Sequence, residues 1–409
     1  MIKIVEYPTI KLNKLKPHPN NPRSHTPEQV EKIARSIKEL GWGRPIIIST
    51  DYYILAGHGA AEAADILGCE EVPYRMMTHR HDSPEALAYM IADNKLTDES
   101  DWNYSDLEII FEDLKLEDFE VELTGFDQNQ IQEVEEKVHG PQEITEDDFN
   151  PEGVVETIVQ PGDIWELGNH RLMCGDSTQP EDVELLVDYD IDLFFTDPPY
   201  GVSYADKNAF LNAISRGNRI QTPINNDHKS LIEMKEIWLK SFNNALNVAT
   251  KGASYYICSP QGGELMMMMM MILEAGWELK HTIIWVKNNH VLGRSDYNYK
   301  HEPIIYGWKE GGHKFYSKGS EVSVWEIDKP HKSDLHPTMK PIELCARAIK
   351  NSSLVGDNVL DLFGGSGSTL IACEQLQRNC YMMELDPHYC DVIITRWETF
   401  TGQKAHKTN

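Results

Sequence analysis

From Val154 to the C-terminus, short apolar runs alternate with helical patterns, and this alternation constrains the architecture more than any other feature of the chain. The runs are IDLFFT, ASYYICS, HTIIWVK, HEPIIYGW, NVLDLF and CYMMEL. They are nearly continuous in apolar residues, so both faces of each strand need covering, and intervening helices supply that cover in a parallel sheet. The expectation is an α/β fold with a mostly parallel, doubly wound sheet. Ligands of such sheets bind beyond the carboxyl ends of the strands, which directs attention to the residues that follow each run.

Two of those positions carry chemistry. Asp197-Pro198-Pro199-Tyr200 follows IDLFFT directly. Two prolines prevent a helix there, so the backbone leaves the sheet in an extended turn. An exocyclic amine on a base is a poor nucleophile because its lone pair is delocalised into the ring. A carboxylate and a carbonyl that accept both N–H bonds would draw it toward tetrahedral geometry, and Asp197 with the Pro198 carbonyl offers that pair. Tyr200 offers a ring for stacking an extruded base. A plain turn with a packed tyrosine is the competing account of the tetrapeptide.

The second position is Val359-Leu360-Asp361-Leu362-Phe363-Gly364-Gly365-Ser366-Gly367-Ser368-Thr369, an apolar strand running through glycines into the helical pattern TLIACEQL. Glycines there let a cofactor approach the backbone at a helix N-terminus. Glu384 ends the next apolar run and is placed to accept hydrogen bonds from ribose hydroxyls. A dinucleotide site fits the same plan, but Leu370 stands where its third glycine would be, and no P-loop Lys-Ser/Thr follows. Cys174-Gly175-Asp176-Ser177 and the run HPTMKP at 336–341 precede the two strands and read singly as loops.

The first part of the chain is organised differently. Residues 27–40 put Val30, Ile33, Ile37 and Leu40 on one helical face ending at Gly41; PIIIS, YYILA and Val72–Met76 read as strands, with a helix opening at Gly57-His58-Gly59. Residues 82–148 hold 22 acidic and 3 basic side chains, which accounts for most of the formal charge of −27. Helical stripes such as Leu107, Ile110, Phe111 and Leu114 make 82–138 an acidic helical connector, and the turn-rich, aperiodic stretch 139–153 reads as a linker. Between Lys280 and Lys340 there are 10 basic, 7 acidic and six histidine residues, so this stretch can face phosphates although the whole chain is acidic. The six methionines 266–271 read as a packed helix rather than a soft metal site. Seven cysteines without CxxC spacing suggest reduced thiols, with neither disulfide nor metal expected. The N-terminal residues lack the pattern of a secretory leader, and export is not expected.

Taken together, the order GD, DPPY, HPTMKP, LDLFGGSGST, ME resembles the permuted β class of DNA amino-methyltransferases over roughly residues 154–400. The resemblance implies a Rossmann-like fold dependent on S-adenosylmethionine (SAM), with Asp197, Pro198, Pro199 and Tyr200 as the catalytic tetrapeptide at the target amine. It further implies Phe363, Gly364, Gly365, Gly367 and Glu384 around SAM, Asp176 near the cofactor adenine, and Asp361 and Lys340 in its pocket. Residues 205–332 occupy the family's target-recognition region, where Arg294, Lys300 and aromatics suit phosphate contact and stacking. Residues 20–76 resemble the ParB-like, sulfiredoxin-like domain, through NNPRSHT, ARSIKELGWGRPIIIS and ILAGHGAAEAADILGCEEVPYR, giving a first domain at 1–81. That family usually has Arg soon after the Gly-His element. Ala60 and Ala61 stand there instead, which leaves His58 as a structural turn residue and the domain's role as DNA positioning or assembly. The pairing resembles bacterial or phage orphan methyltransferases, which implies duplex DNA as partner, a homodimer as one allowed assembly, no membrane, and a bacterial or infected-host cytoplasm.

The leading expectation is adenine-N6 methylation of DNA by direct attack, whether or not a companion endonuclease exists. Cytosine N4 poses the same chemical problem and is the runner-up, Asp rather than Ser at 197 favouring adenine. Cytosine C5 chemistry would need a cysteine nucleophile, usually in a Pro-Cys pair, and none occurs. A partition-like DNA-binding protein with a degenerate scaffold, and an amine methyltransferase for RNA or protein, are the readings from other classes.

Overall fold

The computed structural model describes residues 7–154, 157–201, 231–288, 296–317, 319–328 and 339–408. Contacts divide the chain into two units, Met1–Val138 and His139–Asn409.

The first unit opens with β1 (Thr9–Lys11), α1 (Pro27–Leu40), β2 (Ile46–Ile48), β3 (Ile54–Ala56), α2 (His58–Ile66) and β4 (Glu71–Met76), its sheet ordered β1-β4-β2-β3. Thr26 caps α1 by accepting from the Gln29 N–H, with Pro27 at the first helical position, and Gly41 at φ 86° ends it. Val30, Ala34 and Ile37 are the buried residues of α1, whereas Leu40, expected on the same face, is exposed because it sits in the last turn before the break. Gly57, at φ 91°, turns the chain from β3 into α2. His58 then faces inward, its Nε2 accepting from the His18 N–H at 3.4 Å, and burial lowers its pKa to about 4. Three helices follow, α3 (Pro84–Asp98), α4 (Tyr104–Leu116) and α5 (Gln128–His139). In α4 Leu107 and Phe111 are buried, while Ile110 of the expected stripe is exposed.

The second unit holds a ten-stranded sheet. Its strands are β5 (Ile164–Leu167), β6 (His170–Cys174), β7 (Ile191–Thr196), β8 (Ala249–Cys258), β9 (Glu278–Val286), β10 (His301–Trp308), β11 (Val324–Glu326), β12 (Asn358–Asp361), β13 (Asn379–Glu384) and β14 (His406–Lys407), in the order β11-β9-β10-β8-β7-β12-β13-β6-β5-β14. The helices are α6 (Pro180–Leu186), α7 (Leu231–Val248), α8 (Gly263–Glu274), α9 (Ile342–Ser352), α10 (Ser368–Leu376) and α11 (Pro387–Thr401). Hydrophobic clusters lie on both faces of the sheet, as a doubly wound architecture requires. The centre, β8-β7-β12-β13-β6, is parallel, but β10 inserts antiparallel between β8 and β9, and β5 and β14 add antiparallel at the other edge. The sheet is therefore mixed around a parallel core. Hairpin-like returns at its edges explain this, since antiparallel neighbours need no crossover helix.

Five tryptophans, 238, 277, 285, 325 and 397, are almost fully buried, so core packing accounts for most of this residue type. The methionine run lies in α8, where Met268 and Met271 are buried, but Met266 and Met270 are exposed, so only one face of the run fills the core.

Residues 139–147, within the stretch that suggested a linker, lie against the second unit. Arg378 donates to the His139 carbonyl at 2.8 Å, Thr145 and Gln375 exchange two hydrogen bonds at 2.9 Å, and Glu146 accepts from the Glu343 N–H at 2.9 Å. Asp147 makes a two-pronged ion pair with Arg396, at 2.6 and 2.9 Å, and Arg396 is 1% exposed. This strap docks through polar groups, which leave no apolar period in the sequence to announce it.

Candidate active site

The carboxyl ends of β6, β7, β12 and β13 share one edge of the sheet because these strands are parallel. A cavity of about 460 Å³ opens there. Asp176, Asp197–Tyr200, Lys340, Asp361, Phe363–Gly365 and Glu384 all line it.

At the end of β7, Asp197 is held from two sides. Its Oδ1 accepts from the Tyr200 hydroxyl at 2.8 Å, and its Oδ2 pairs with Lys340 Nζ at 2.7 Å. The turn is fixed further by Trp238, whose Nε1–H donates to the Pro199 carbonyl at 3.0 Å. Pro198 is buried, and among the described residues no hydrogen bond to its carbonyl is found. Burial, with Asp197 and Glu302 nearby, pushes the Tyr200 hydroxyl far above its ordinary pKa, so it stays a donor.

One strand over, Asp361 is 3% exposed and fully engaged. Thr196 donates to its Oδ1 and Thr369 to its Oδ2, both at 2.7 Å, and the Phe363 N–H donates to Oδ1 at 3.1 Å. Burial raises its pKa to about 6, the threonine hydroxyls opposing. Asp361 thus fastens β7 to β12 and sets the start of the glycine loop. The loop turns through Gly365 at φ 52° and Gly367 at φ 84°. A Cβ on Gly365 would meet nothing within 4 Å, so this backbone faces open space in the cavity. Gly367 does not line the cavity; it starts α10, and a Cβ there would press on Ile393 at 3.2 Å.

Glu384 accepts from the Gly365 N–H at 2.8 Å and the Asp386 N–H at 2.9 Å. Burial raises its pKa to about 7 against those two donors. Each oxygen retains acceptor capacity. Asp176 accepts from the Thr178 N–H and hydroxyl at 3.0 and 2.8 Å, and its own N–H donates to Asp182 at 2.8 Å.

Sequence reasoning did not single out Glu302 or Lys287. Both line the cavity because β10 runs antiparallel to β8, which brings its first residues to this edge, and Val286, the last residue of β9, pairs with His301. Glu302 pairs with Lys287 and lies 3.2 Å from Lys340 Nζ. Burial would raise the Glu302 pKa, but Lys340 and Lys287 outweigh it and hold it at about 2. Burial would lower the Lys340 pKa; Asp197 and Glu302 instead raise it well above the usual lysine value. The charged run through HEP was visible, yet nothing in it signalled contact with residue 340. Of the expected recognition residues, Lys300 is exposed, whereas Arg294 lies outside the described residues, as do His336–Thr338 of the HPTMKP run.

The DNA methylase family model matches residues 191–395, which is half of the chain and includes β7, β12 and β13 at the cavity. The chain belongs to the DNA methylase family. Residues 3–95 match the ParB N-terminal domain, and a ParB-like nuclease domain-containing protein, YnaK of Escherichia coli K12, is 42% identical over 72 residues, or 18% of this chain and 79% of that protein. The first unit therefore carries a ParB N-terminal domain. The type II methyltransferase M2.MboI of Moraxella bovis is 25% identical over 52% of this chain and 83% of its own length. M.Cfr9I of Citrobacter freundii is 31% identical over 30% of this chain, but the match spans only 45% of that enzyme. Among solved structures, the M1.HpyAVI–SAM complex is 21% identical with a TM-score of 0.41, over 55% of this chain and 97% of that one. The cytosine-N4-specific PvuII DNA methyltransferase is 17% identical with a TM-score of 0.43, over 56% of this chain and 86% of that one.

Proposed function

We propose that the second unit transfers a methyl group from S-adenosylmethionine to the exocyclic N6 amine of adenine in double-stranded DNA, by direct attack of a base turned out of the duplex. The observation that carries this reading is the meeting of Asp197–Tyr200 with the glycine loop and Glu384 in one cavity. The residues fit the donor. Gly365 leaves open space beside its backbone, and Glu384 keeps acceptor capacity for ribose hydroxyls. Phe363, Gly364, Gly365 and Glu384 would hold SAM, with Asp176 toward its adenine and Asp361 shaping the loop. When bound, the donor supplies an electrophilic methyl on a positively charged sulfur.

The remaining work falls to the chain. Asp197 and the Pro198 carbonyl would accept the two amine N–H bonds and localise the lone pair; such preorganised acceptors typically contribute ~10²–10³ in rate. Tyr200 would present its ring to the base while its hydroxyl keeps Asp197 oriented. Asp at 197 is the ground for adenine over cytosine. Residues 205–332 would read the target, and the ParB-like residues 1–81 would position DNA or assist assembly, because Ala60 and Ala61 stand where the family's arginine would. A degenerate scaffold is disfavoured by the presence of Asp197, Tyr200 and Glu384 together. We place the protein in the cytoplasm of a bacterium or an infected host, with a homodimer among its allowed assemblies.

Incubation with unmethylated duplex DNA and SAM, followed by mass spectrometry of nucleosides, is expected to give N6-methyladenine. N4-methylcytosine would refute the base assignment. Undiminished transfer by Asp197→Ala would refute the mechanism, and preference for RNA in a competition would refute the substrate class.

A further inference from the structure

The Asp197 carboxylate that is to grip an amine already holds one. Lys340 Nζ sits 2.7 Å from Asp197 Oδ2, and the Tyr200 hydroxyl takes the other oxygen. An incoming base amine must therefore compete with an ammonium for Oδ2. Displacing Lys340 without a second acceptor would strand a cation whose side chain is only 11% exposed, which is strongly unfavourable. Glu302 supplies that acceptor. Its Oε2 lies 3.2 Å from the same nitrogen, and its own charge is stabilised by Lys287 on the far side.

We infer that Lys340 is a place-holder for the target amine and that Glu302 is the positioning residue which receives the Lys340 ammonium when the base takes Asp197. This deepens, and rests on, the proposed amine-methylating reading of the site. Lys287, Glu302, Lys340 and Asp197 form a row of alternating charge, + − + −, so a shift of Lys340 toward Glu302 changes no net charge in the cavity. Glu302 stands on β10, whereas Glu384 ends β13 and Asp176 and the glycine loop follow β6 and β12.

The test uses the full chain in two measurements. In the first, fluorescence anisotropy compares binding of oligo(dA) and oligo(dC), which carry exocyclic amines, with oligo(dT), which does not, in the presence of S-adenosylhomocysteine. The wild type is expected to prefer an amine-bearing oligonucleotide. Glu302→Gln is expected to reduce that preference at least fivefold, because Lys340 then has Asp197 as its sole carboxylate. S-adenosylhomocysteine affinity should stay within twofold. In the second, steady-state methylation of unmethylated bacterial DNA should show a raised DNA KM with a smaller change in kcat. Adding Glu302→Gln to Lys340→Met should then have no further effect, since Glu302 acts through Lys340.

Should Glu302→Gln fold poorly, the Lys287→Met/Glu302→Gln pair removes one charge of each sign and carries the same expectation. An unchanged oligonucleotide preference in these variants, loss of S-adenosylhomocysteine binding, or an undiminished Glu302→Gln effect in the Lys340→Met background would overturn the inference. A wild-type protein that methylates DNA but shows no preference for amines would overturn it too, while leaving the methyltransferase reading intact. A wild-type protein without either property would refute both.

Discussion

Glu384 offers a direct way to ask whether the cavity receives a nucleoside. Its carboxyl is raised to about 7 by burial, and among the described residues its donors are the backbone N–H groups of Gly365 and Asp386. Ribose hydroxyls donate to the ionised form, so binding should favour the carboxylate and weaken as pH falls through about 7. At pH 8 about nine-tenths of the sites are ionised, and at pH 6 about one-tenth, which predicts a dissociation constant about tenfold larger at pH 6, or ~1.4 kcal/mol. The suitable ligand is 5′-methylthioadenosine, which keeps the adenine and ribose but lacks the amino-acid group that would titrate in the same range. Isothermal titration calorimetry at pH 6, 7 and 8 reads the effect. Glu384→Gln should bind more weakly at pH 8 and lose most of the pH dependence, which separates Glu384 from Asp361 at about 6 in the same cavity. A wild-type profile flat within twofold, or a Glu384→Gln profile as steep as the wild type, would refute the assignment.

Three further outcomes follow from packing and pairing. Met268→Ala should destabilise the second unit by ~2–5 kcal/mol in chemical denaturation, while Met266→Ala should change stability by less than ~0.5 kcal/mol, because Met268 is fully buried and Met266 is 66% exposed. Asp147→Ala leaves Arg396 buried without its carboxylate and should cost ~3–5 kcal/mol. As Arg396 also donates to the Ser366 carbonyl at 2.9 Å, the same variant should weaken 5′-methylthioadenosine binding. Trp238→Phe removes the hydrogen bond to the Pro199 carbonyl and should cost ~1 kcal/mol of stability, lowering kcat on DNA more than it alters S-adenosylhomocysteine affinity.

Much of this is legible in the sequence alone. Apolar runs located β7, β8, β12 and β13, and the prolines and glycines that follow β7 and β12 marked where the chain leaves the sheet. Those signals are local, written in a few consecutive residues. Glu302 and Lys287 were illegible for the opposite reason: their place depends on β10 entering antiparallel between two other strands, a pairing that no short window encodes. The strap at 139–147 is not legible because its anchors are single acids, Glu146 and Asp147, whose partners lie 197 and 249 residues away. Exposure of Met266, Met270 and Ile110 shows a further limit, in that an apolar residue on a helix is buried only where a neighbour covers that face.

The hydrogen bond from Thr196 to Asp361 spans 165 positions of sequence yet joins adjacent strands. Thr196 closes the strand that leads into Asp197, and Asp361 closes the strand that leads into the glycine loop, so one bond ties the two exits together. The spacing between the tetrapeptide and the glycine loop is thus set twice over, by this threonine–aspartate clasp and by the register of Val359 with Leu193 and Leu360 with Phe194.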